Sequence, residues 1–466
     1  MKATTATLSF NEKLSYALGD TASNFFFQFF AIFIVYYYTD VYGLSTGSVT
    51  TMLLVVKLWD WVTDPIMGII ADRTQTRWGK FRPYLLWMAI PYGAIGYLMF
   101  INPDLGEEGK LMFAYITYTL MMTVYTAINV PYGALMGVMT TSSDERLTLG
   151  CFRFIGAFSA AILLGMFVRP LVRILGDGNE LLGFQLTMAI FAVLSILLFF
   201  QTFRGTRERV APPLDQDTDI KKDLKVLLRN TAWLVMVVAG VFTLANVAIR
   251  GGATVYFFKY YMLDDNTPFI WIWDRTSFFL TTGAIVFVIG VIGGRFLSNI
   301  YDKRVLMIFL TLTNAIVMAF MYYIPSDAYW TMLSVNALAS LLAGPTPALV
   351  WAMYADVADY GEWKFKRRTT ALVFSAAQFA QKLGLTIGGV LPTAVLTYVG
   401  YEANVAQSEL ALQGIRFIFT WLPAIFAIIA GFSFFFYPLR DSQLLNIEEE
   451  LLDRRSAVGK IIPATT

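Results

Sequence analysis

Asp60 and Asp64 stand one helical turn apart in the stretch KLWDWVTDP (57–65), with Lys57 one turn before them, between the apolar runs TTMLLVV and PIMGII. A spacing of four puts both carboxylates on one helical face, about 6 Å apart along the axis. A charge at mid-bilayer costs roughly 2.5–3.5 kcal/mol on insertion scales, so three charges in one greasy run need a compensating reason. Two acidic groups on one stripe suit a small hard cation such as Na⁺, which takes oxygen ligands as other hard ions do. Thr63 and Thr126 can add hydroxyl oxygens. The same pair can instead share a proton, because two like charges side by side resist full ionisation. A structural reading has Lys57 neutralise Asp60, but one lysine leaves the second aspartate uncompensated. Asp60 lies near the middle of its apolar run, whereas Asp64 sits closer to the end and can also anchor the following loop.

The rest of the composition says where this pair must work. The 466 residues are 57% hydrophobic and 15% charged, against about 25% charged in a soluble globular chain. Apolar windows of about 20 residues recur along the sequence, the signature of bilayer-spanning helices. The chain therefore reads as an all-α polytopic membrane protein, with the lipid bilayer as its first partner. There are no histidines and one cysteine, Cys151. That excludes a histidine metal site, a histidine proton relay and a cysteine cluster, and leaves cation or proton chemistry to carboxylates. A net charge of +2 gives no reason to expect nucleic acid. No cofactor is expected beyond a coupling ion, and nothing resembles the nucleophile–base pair of an enzyme. The first twenty residues lack the short apolar core of a cleavable signal peptide.

Twelve apolar windows are expected to be helices: 22–40, 48–71, 83–101, 111–138, 149–171, 183–203, 231–261, 274–299, 304–324, 328–355, 369–399 and 412–438. The seventh is interrupted by Arg250-Gly251-Gly252. The even-numbered connections carry DRTQTRWGKFRP, DERLTLG, DKR and EWKFKRR, while the odd-numbered ones hold almost no Lys or Arg. The positive-inside rule then puts the even loops and both termini in the cytoplasm. The polar break 204–230 divides the chain into a six-helix bundle at 1–203 and a second at 231–438, followed by a cytoplasmic tail at 439–466. Two six-helix halves around a basic loop is the layout of the major facilitator fold, whose solute sites lie near mid-membrane. The expected functional unit is a monomer.

Other polar residues interrupt the apolar windows. Arg153, Arg250 and Lys382 read either as counter-ions of a packing network or as the lining of a water-filled cavity. Asn24, Asn129 and Gln378 fit that lining as partners for hydroxyl groups, although a single buried Asn more often joins helices. Trp61 and Trp351 can stack on a sugar face or simply pack. Small residues at Gly384, Gly388 and Gly389 let helices approach, and Pro131, Pro345, Pro347 and Pro392 bend them. At the cytoplasmic side, MYADVADYGEWKFKRR places Asp356, Asp359 and Glu362 before Lys364, Lys366, Arg367 and Arg368, while TSSDERLTLG of the other half carries Arg146. Complementary charges there suit a latch; an ordinary solvated loop is the alternative, its pairs worth about 0–1 kcal/mol each.

Four blocks in order, YYYTDVYGLS (36–45), WDWVTDPIMGIIADRTQTRWGKFRP (59–83), YTAINVPYGAL (125–135) and ADVADYGEW (355–363), resemble the glycoside–pentoside–hexuronide:cation symporters. The resemblance covers residues 10 to 440 or so. It implies that Asp60, Asp64 and Thr126 form the cation site, with Thr63 where melibiose permease, one member, has asparagine. It implies that Arg153 and Lys382 line the sugar and cation pockets, with Tyr125 beside them. Arg146, Asp356, Asp359 and Arg368 match a cytoplasmic closure network. Where melibiose permease holds its galactoside with two aspartates this chain has Asn24 and Asn129, and a pocket tryptophan is replaced by Gly133. Arg250 with its two glycines points to the branch of xyloside and glucoside permeases. Asn for Asp plus an extra Arg makes the pocket read as more positive, which admits a hexuronide.

The expectation is a multi-pass carrier of the bacterial inner membrane that imports a small di- or oligosaccharide glycoside with Na⁺ or H⁺ by alternating access. Substrate-site candidates are Asn24, Tyr125, Asn129, Arg153, Arg250, Trp351, Gln378 and Lys382. Two rivals are a lysolipid carrier of the same fold, against which the polar lining argues, and a transporter-like sensor, which would normally carry a signalling domain.

Overall fold

The computed structural model describes residues 8–140, 143–209, 227–298, 300–365 and 370–457. All regular elements among them are helices. Nine of these helices are long and apolar enough to cross a membrane, or ten if Phe10–Ile32 and Ile34–Val41, bent by 63°, count as one span. Thr46–Arg73 is continuous through Pro65 but is not among the nine, since Lys57, Asp60 and Asp64 interrupt its apolar run. The window at 83–101 splits at Met88 into Arg82–Trp87 and Ala89–Leu98. The Arg250-Gly251-Gly252 interruption does not break its helix, which runs Thr231–Tyr256. A Cβ on Gly251 would lie 2.9 Å from the Ala31 carbonyl oxygen, so glycine is needed for that approach rather than for a bend.

The first helix starts at Phe10 rather than at the expected 22. Ser9 and Glu12 form a capping box, each side chain accepting the other's backbone N–H at 3.3 Å. This reciprocal satisfaction of two end donors makes a polar segment helical without an apolar run. The consequence is local and matters below: Asp20 lies inside the helix, one turn before Asn24.

Two compact units account for the chain. The first comprises 1–215 with 251–284 and 392–415; the second comprises 216–250, 285–391 and 416–466. In the first unit, Phe10–Ile32 packs on Ser143–Gly176 and Glu180–Gly205, and Thr46–Arg73 packs on Glu107–Met139. The second unit is built around Met353, Tyr354, Val357 and Phe434, and the apolar residues Leu444, Ile447 and Leu451 of the tail helix Asp441–Ala457 join that core.

Within the first unit, two helices end in a π-helical turn, Tyr37–Val41 and Phe257–Tyr261. Tyr42 N–H bonds Tyr37 O and Leu44 N–H bonds Tyr38 O, while Met262 N–H bonds Phe257 O and Asp264 N–H bonds Phe258 O. Every residue of the second set is 220 beyond its counterpart, so the two ends are copies in backbone. Side chains repeat the relation. Thr39 shares a 2.6 Å hydrogen bond with Tyr256 OH, and its counterpart Lys259 donates to Tyr36 OH at 3.1 Å. Asp40, buried, collects Lys259 Nζ at 3.0 Å, Tyr401 OH at 2.6 Å and Tyr260 OH. Burial first, then the Asp40 charge, hold the Tyr401 phenol well above its usual pKa, so it stays a donor.

Behind this end, Arg169 of Ser143–Gly176 is buried between Asp264 at 3.4 Å and Asp274. Arg173, one turn on, donates to the carbonyls of Asn266 at 3.0 Å and Ile272 at 2.7 Å. One helix thus holds the whole 262–274 connection.

On the opposite side of the same unit, Glu208 accepts the backbone N–H groups of Lys80, Phe81 and Arg82 at 2.8, 2.7 and 2.9 Å. Gly79 makes that cradle possible: its φ is +110°, and a Cβ there would stand 2.5 Å from the Glu208 carboxyl carbon. Gly79→Ala is expected to lower unfolding stability by about 1–3 kcal/mol through backbone strain and displacement of Glu208, read as a lower melting midpoint in detergent.

Candidate functional site

Thr46–Arg73 and Glu107–Met139 run side by side and bring Asp60, Asp64 and Thr126 together. Thr126 Oγ1 lies 2.9 Å from Asp60 Oδ1 and 3.0 Å from Asp64 Oδ1. Asp60 is only 6% exposed and Thr126 2%, whereas Asp64 is half-buried. A hydroxyl carries one proton, so Thr126 can donate to only one carboxylate at a time. Two carboxylates on one hydroxyl form a donor set that can hold a metal cation or share a proton, with Lys57 of the same helix acting electrostatically on Asp60. Thr63 sits beside this group, but its hydroxyl donates to the Asp60 carbonyl at 3.2 Å on its own helix. Trp61, the neighbour of Asp60, is half-buried with its indole N–H enclosed.

A second polar group forms where Phe10–Ile32 meets Ser143–Gly176. Arg153 Nε donates to Asp20 Oδ1 at 3.0 Å, and the guanidinium lies 5.4 Å from the Tyr132 ring centroid. Asn24 Nδ2 donates to the Asp20 carbonyl at 2.8 Å and to Asp20 Oδ2 at 3.3 Å. Asp20 is 6% exposed. The sequence reading missed it, although an acidic residue four before Asn24 at helical spacing was the signal that could have found it. The Arg153 charge is thus matched by a buried carboxylate, the counter-ion arrangement that is one of the two readings of this arginine.

Tyr125 and Asn129 connect the two groups, because they share a face of Glu107–Met139 with Thr126. The Asn129 side-chain amide donates to the Tyr125 carbonyl at 3.1 Å. The Tyr125 ring stacks 6.2 Å from Phe27, three residues beyond Asn24.

The second unit holds the other candidates. Arg250 Nη2 donates to Asn336 Oδ1 at 2.7 Å and approaches Met321 Sδ at 3.5 Å, with the guanidinium 5.4 Å from the Phe419 ring. A neutral amide oxygen is thus among the contacts of its guanidinium. Trp351 packs against the core, its ring 6.1 Å from Tyr354. Gln378 is exposed and Lys382 half-buried on Thr370–Tyr398.

Of the expected latch, Asp356 pairs with Lys303 at 2.6 Å, and Lys303 also reaches Asp441 at 3.4 Å. Lys303 was not singled out in the sequence. Asp359 is half-buried on the same helix as Asp356. Arg146 donates to the carbonyls of Thr140 at 3.0 Å and Gly137 at 3.4 Å. Arg368 lies outside the described residues.

Residues 15–441 match the MFS/sugar transport protein family. The chain is 34% identical to the Inner membrane symporter YicJ of Escherichia coli (strain K12), covering 95% of each chain. It is 33% identical to the Isoprimeverose transporter of Lactiplantibacillus pentosus, covering 94% of this chain and 91% of the relative. Among solved structures, a D-xylose-proton symporter superposes with a TM-score of 0.65 at 14% identity, covering 92% of this chain and 97% of that one, which shows the shared fold. The resemblance carried by the four sequence blocks is thereby borne out. The protein belongs to the glycoside–pentoside–hexuronide:cation symporter family of MFS/sugar transport proteins, as a multi-pass transporter of the inner membrane and not an enzyme.

Proposed function

We propose that this transporter imports a small di- or oligosaccharide glycoside by symport with Na⁺, through alternating access. The observation that carries the reading is the Asp60–Thr126–Asp64 group, which has two carboxylate oxygens on one hydroxyl inside an apolar helix pair. The bound ion offsets the repulsion between Asp60 and Asp64 and orders their helix against Glu107–Met139. Sugar affinity rises with the ion bound, and linkage requires the sugar to tighten the ion equally. The substrate contacts of this reading are Asn24, Tyr125, Asn129, Arg153, Arg250, Trp351, Gln378 and Lys382. Arg146, Asp356, Asp359 and Arg368 close the cytoplasmic exit. Twelve spans in two six-helix bundles, with both termini cytoplasmic, complete the reading. The isoprimeverose relative favours xylosides and glucosides as first substrates to try.

The test is the melting point of detergent-purified protein against xylosides, glucosides, galactosides and glucuronides, each with and without Na⁺. A ligand present at about 100 times its Kd adds about 2.7 kcal/mol of stability by mass action. The expected result is one glycoside that stabilises, and more strongly with Na⁺. Stabilisation that follows pH but not Na⁺ replaces the ion by a proton; stabilisation by lysolipids alone refutes a sugar carrier.

A further inference from the structure

Asp20 touches two of the four first-unit residues assigned to the sugar, and its chemistry dictates how both present themselves. The Asn24 amide nitrogen faces two Asp20 oxygens, the carbonyl at 2.8 Å and Oδ2 at 3.3 Å. Both are pure acceptors, so the NH₂ end must turn toward them and the Oδ1 end away. Among the described residues Asn24 Oδ1 has no hydrogen-bond partner, and the residue is only half-buried. Asn129 repeats the arrangement, its NH₂ held by the Tyr125 carbonyl one turn back. Both asparagines therefore offer an amide oxygen, a neutral acceptor for hydroxyl protons. Arg153 is anchored through Nε on Asp20 Oδ1 at 3.0 Å, with Tyr16 and the Tyr132 ring beside its guanidinium, and its side chain is still 38% exposed.

We propose that Asp20 is a positioning residue of the substrate site: it locks Asn24 as an acceptor and Arg153 as a donor, so that the pair grips one sugar hydroxyl region from opposite polarities. This rests on the symport reading above. If Asp20 becomes an amide it can itself donate to Asn24 Oδ1, and nothing then forces the Asn24 amide to one orientation. The Arg153 guanidinium then has at most a neutral amide oxygen in place of its charged anchor. The cation group at Asp60, Asp64 and Thr126 has no hydrogen bond to Asp20 and should not feel the change.

The experiment uses the purified full chain and measures two affinities separately: isoprimeverose binding with Na⁺ present, and Na⁺ binding with no sugar. Asp20→Asn is expected to weaken isoprimeverose at least about tenfold, the size of one well-made hydrogen bond to a charged or buried partner, with Na⁺ affinity unchanged. The exchange variant Asp20→Asn/Asn24→Asp should recover most of the loss, since a carboxylate at 24 accepts in either orientation and restores the negative charge to the same group of side chains. Wild-type sugar affinity in Asp20→Asn overturns the proposal. So does parallel loss of sugar and Na⁺ binding, which is the mark of a merely structural residue, and so does an exchange variant no better than Asp20→Asn. Should the wild-type chain bind no isoprimeverose while binding another glycoside of the panel, that glycoside becomes the probe with the same criteria. A wild-type chain that binds no glycoside overturns the symport reading, and the proposal with it.

Discussion

Asp60→Asn is expected to abolish concentrative uptake while leaving the protein in the membrane. In right-side-out vesicles with an imposed inward Na⁺ gradient, the inside-to-outside ratio of labelled glycoside should fall to about one, because coupling requires a differential interaction with the ion that the amide no longer supplies. The magnitude follows from the site. Thr126 Oγ1 lies within bonding distance of both aspartates, and Asp60 is the more buried of the two. Losing a charge-assisted bond costs about 1.5–3 kcal/mol, or roughly 10- to 100-fold in ion affinity. Asp64→Asn, at a half-buried position, should retain part of the gradient-driven accumulation. Wild-type accumulation by Asp60→Asn would remove the carboxylate pair from the mechanism. Accumulation that responds to a pH gradient and ignores Na⁺ would keep the pair and change the ion.

The second large effect is on stability, at the buried Arg169–Asp264–Asp274 group. Arg169→Met leaves two carboxylates facing each other without their cation, and breaking one partner of a buried ion pair costs about 3–5 kcal/mol. A markedly lower melting midpoint in detergent is the expected readout. The pH response provides an independent check with a definite sign. Burial already raises the Asp264 carboxyl above the ordinary carboxylate value even with Arg169 beside it. Without the arginine, the folded state binds protons more readily than the unfolded chain does. Stability of Arg169→Met should therefore increase as pH falls from neutral toward the ordinary carboxylate range, and decrease as pH rises. A variant that melts like the wild type, or that weakens further on acidification, would mean that the group is not load-sharing between the 262–274 connection and its helix.

The division between what was legible in the residues and what was not has a physical cause. Periodicity and hydropathy are local properties, so the charged turn of Asp60 and Asp64, the apolar windows and the four blocks could be read directly. Hydropathy alone does not reach Asp20, because a capping box rather than an apolar run begins its helix; only its spacing of four to Asn24 points to it. Its partner Arg153 is 133 residues away. Arg153 could therefore be read as a counter-ion or as cavity lining, but its carboxylate appears only in the packing. Arg250 likewise looked like half of an ion pair, and Asn336 turned out to be one of its partners. The choice of Lys303 for Asp356 belongs to the same class, since charge at a helix end is visible in a sequence while the side chain that reaches it is not.

The paired π-helical turns bear on how such a chain came to be. Asp40 and Tyr260 occupy the same place in the two copies, as do Thr39 and Lys259, and Tyr36 and Tyr256. In an ancestral dimer of one shorter chain, each mutation would have appeared twice. Any contact on the dyad would then have set acid against acid or phenol against phenol. Asp40 and Tyr260 are equivalent places in contact, so two identical chains would there set like against like, and only copies that differ can set an acid against a phenol. The junction at Asp40 is therefore one that two identical chains cannot make and a single chain with diverged copies can.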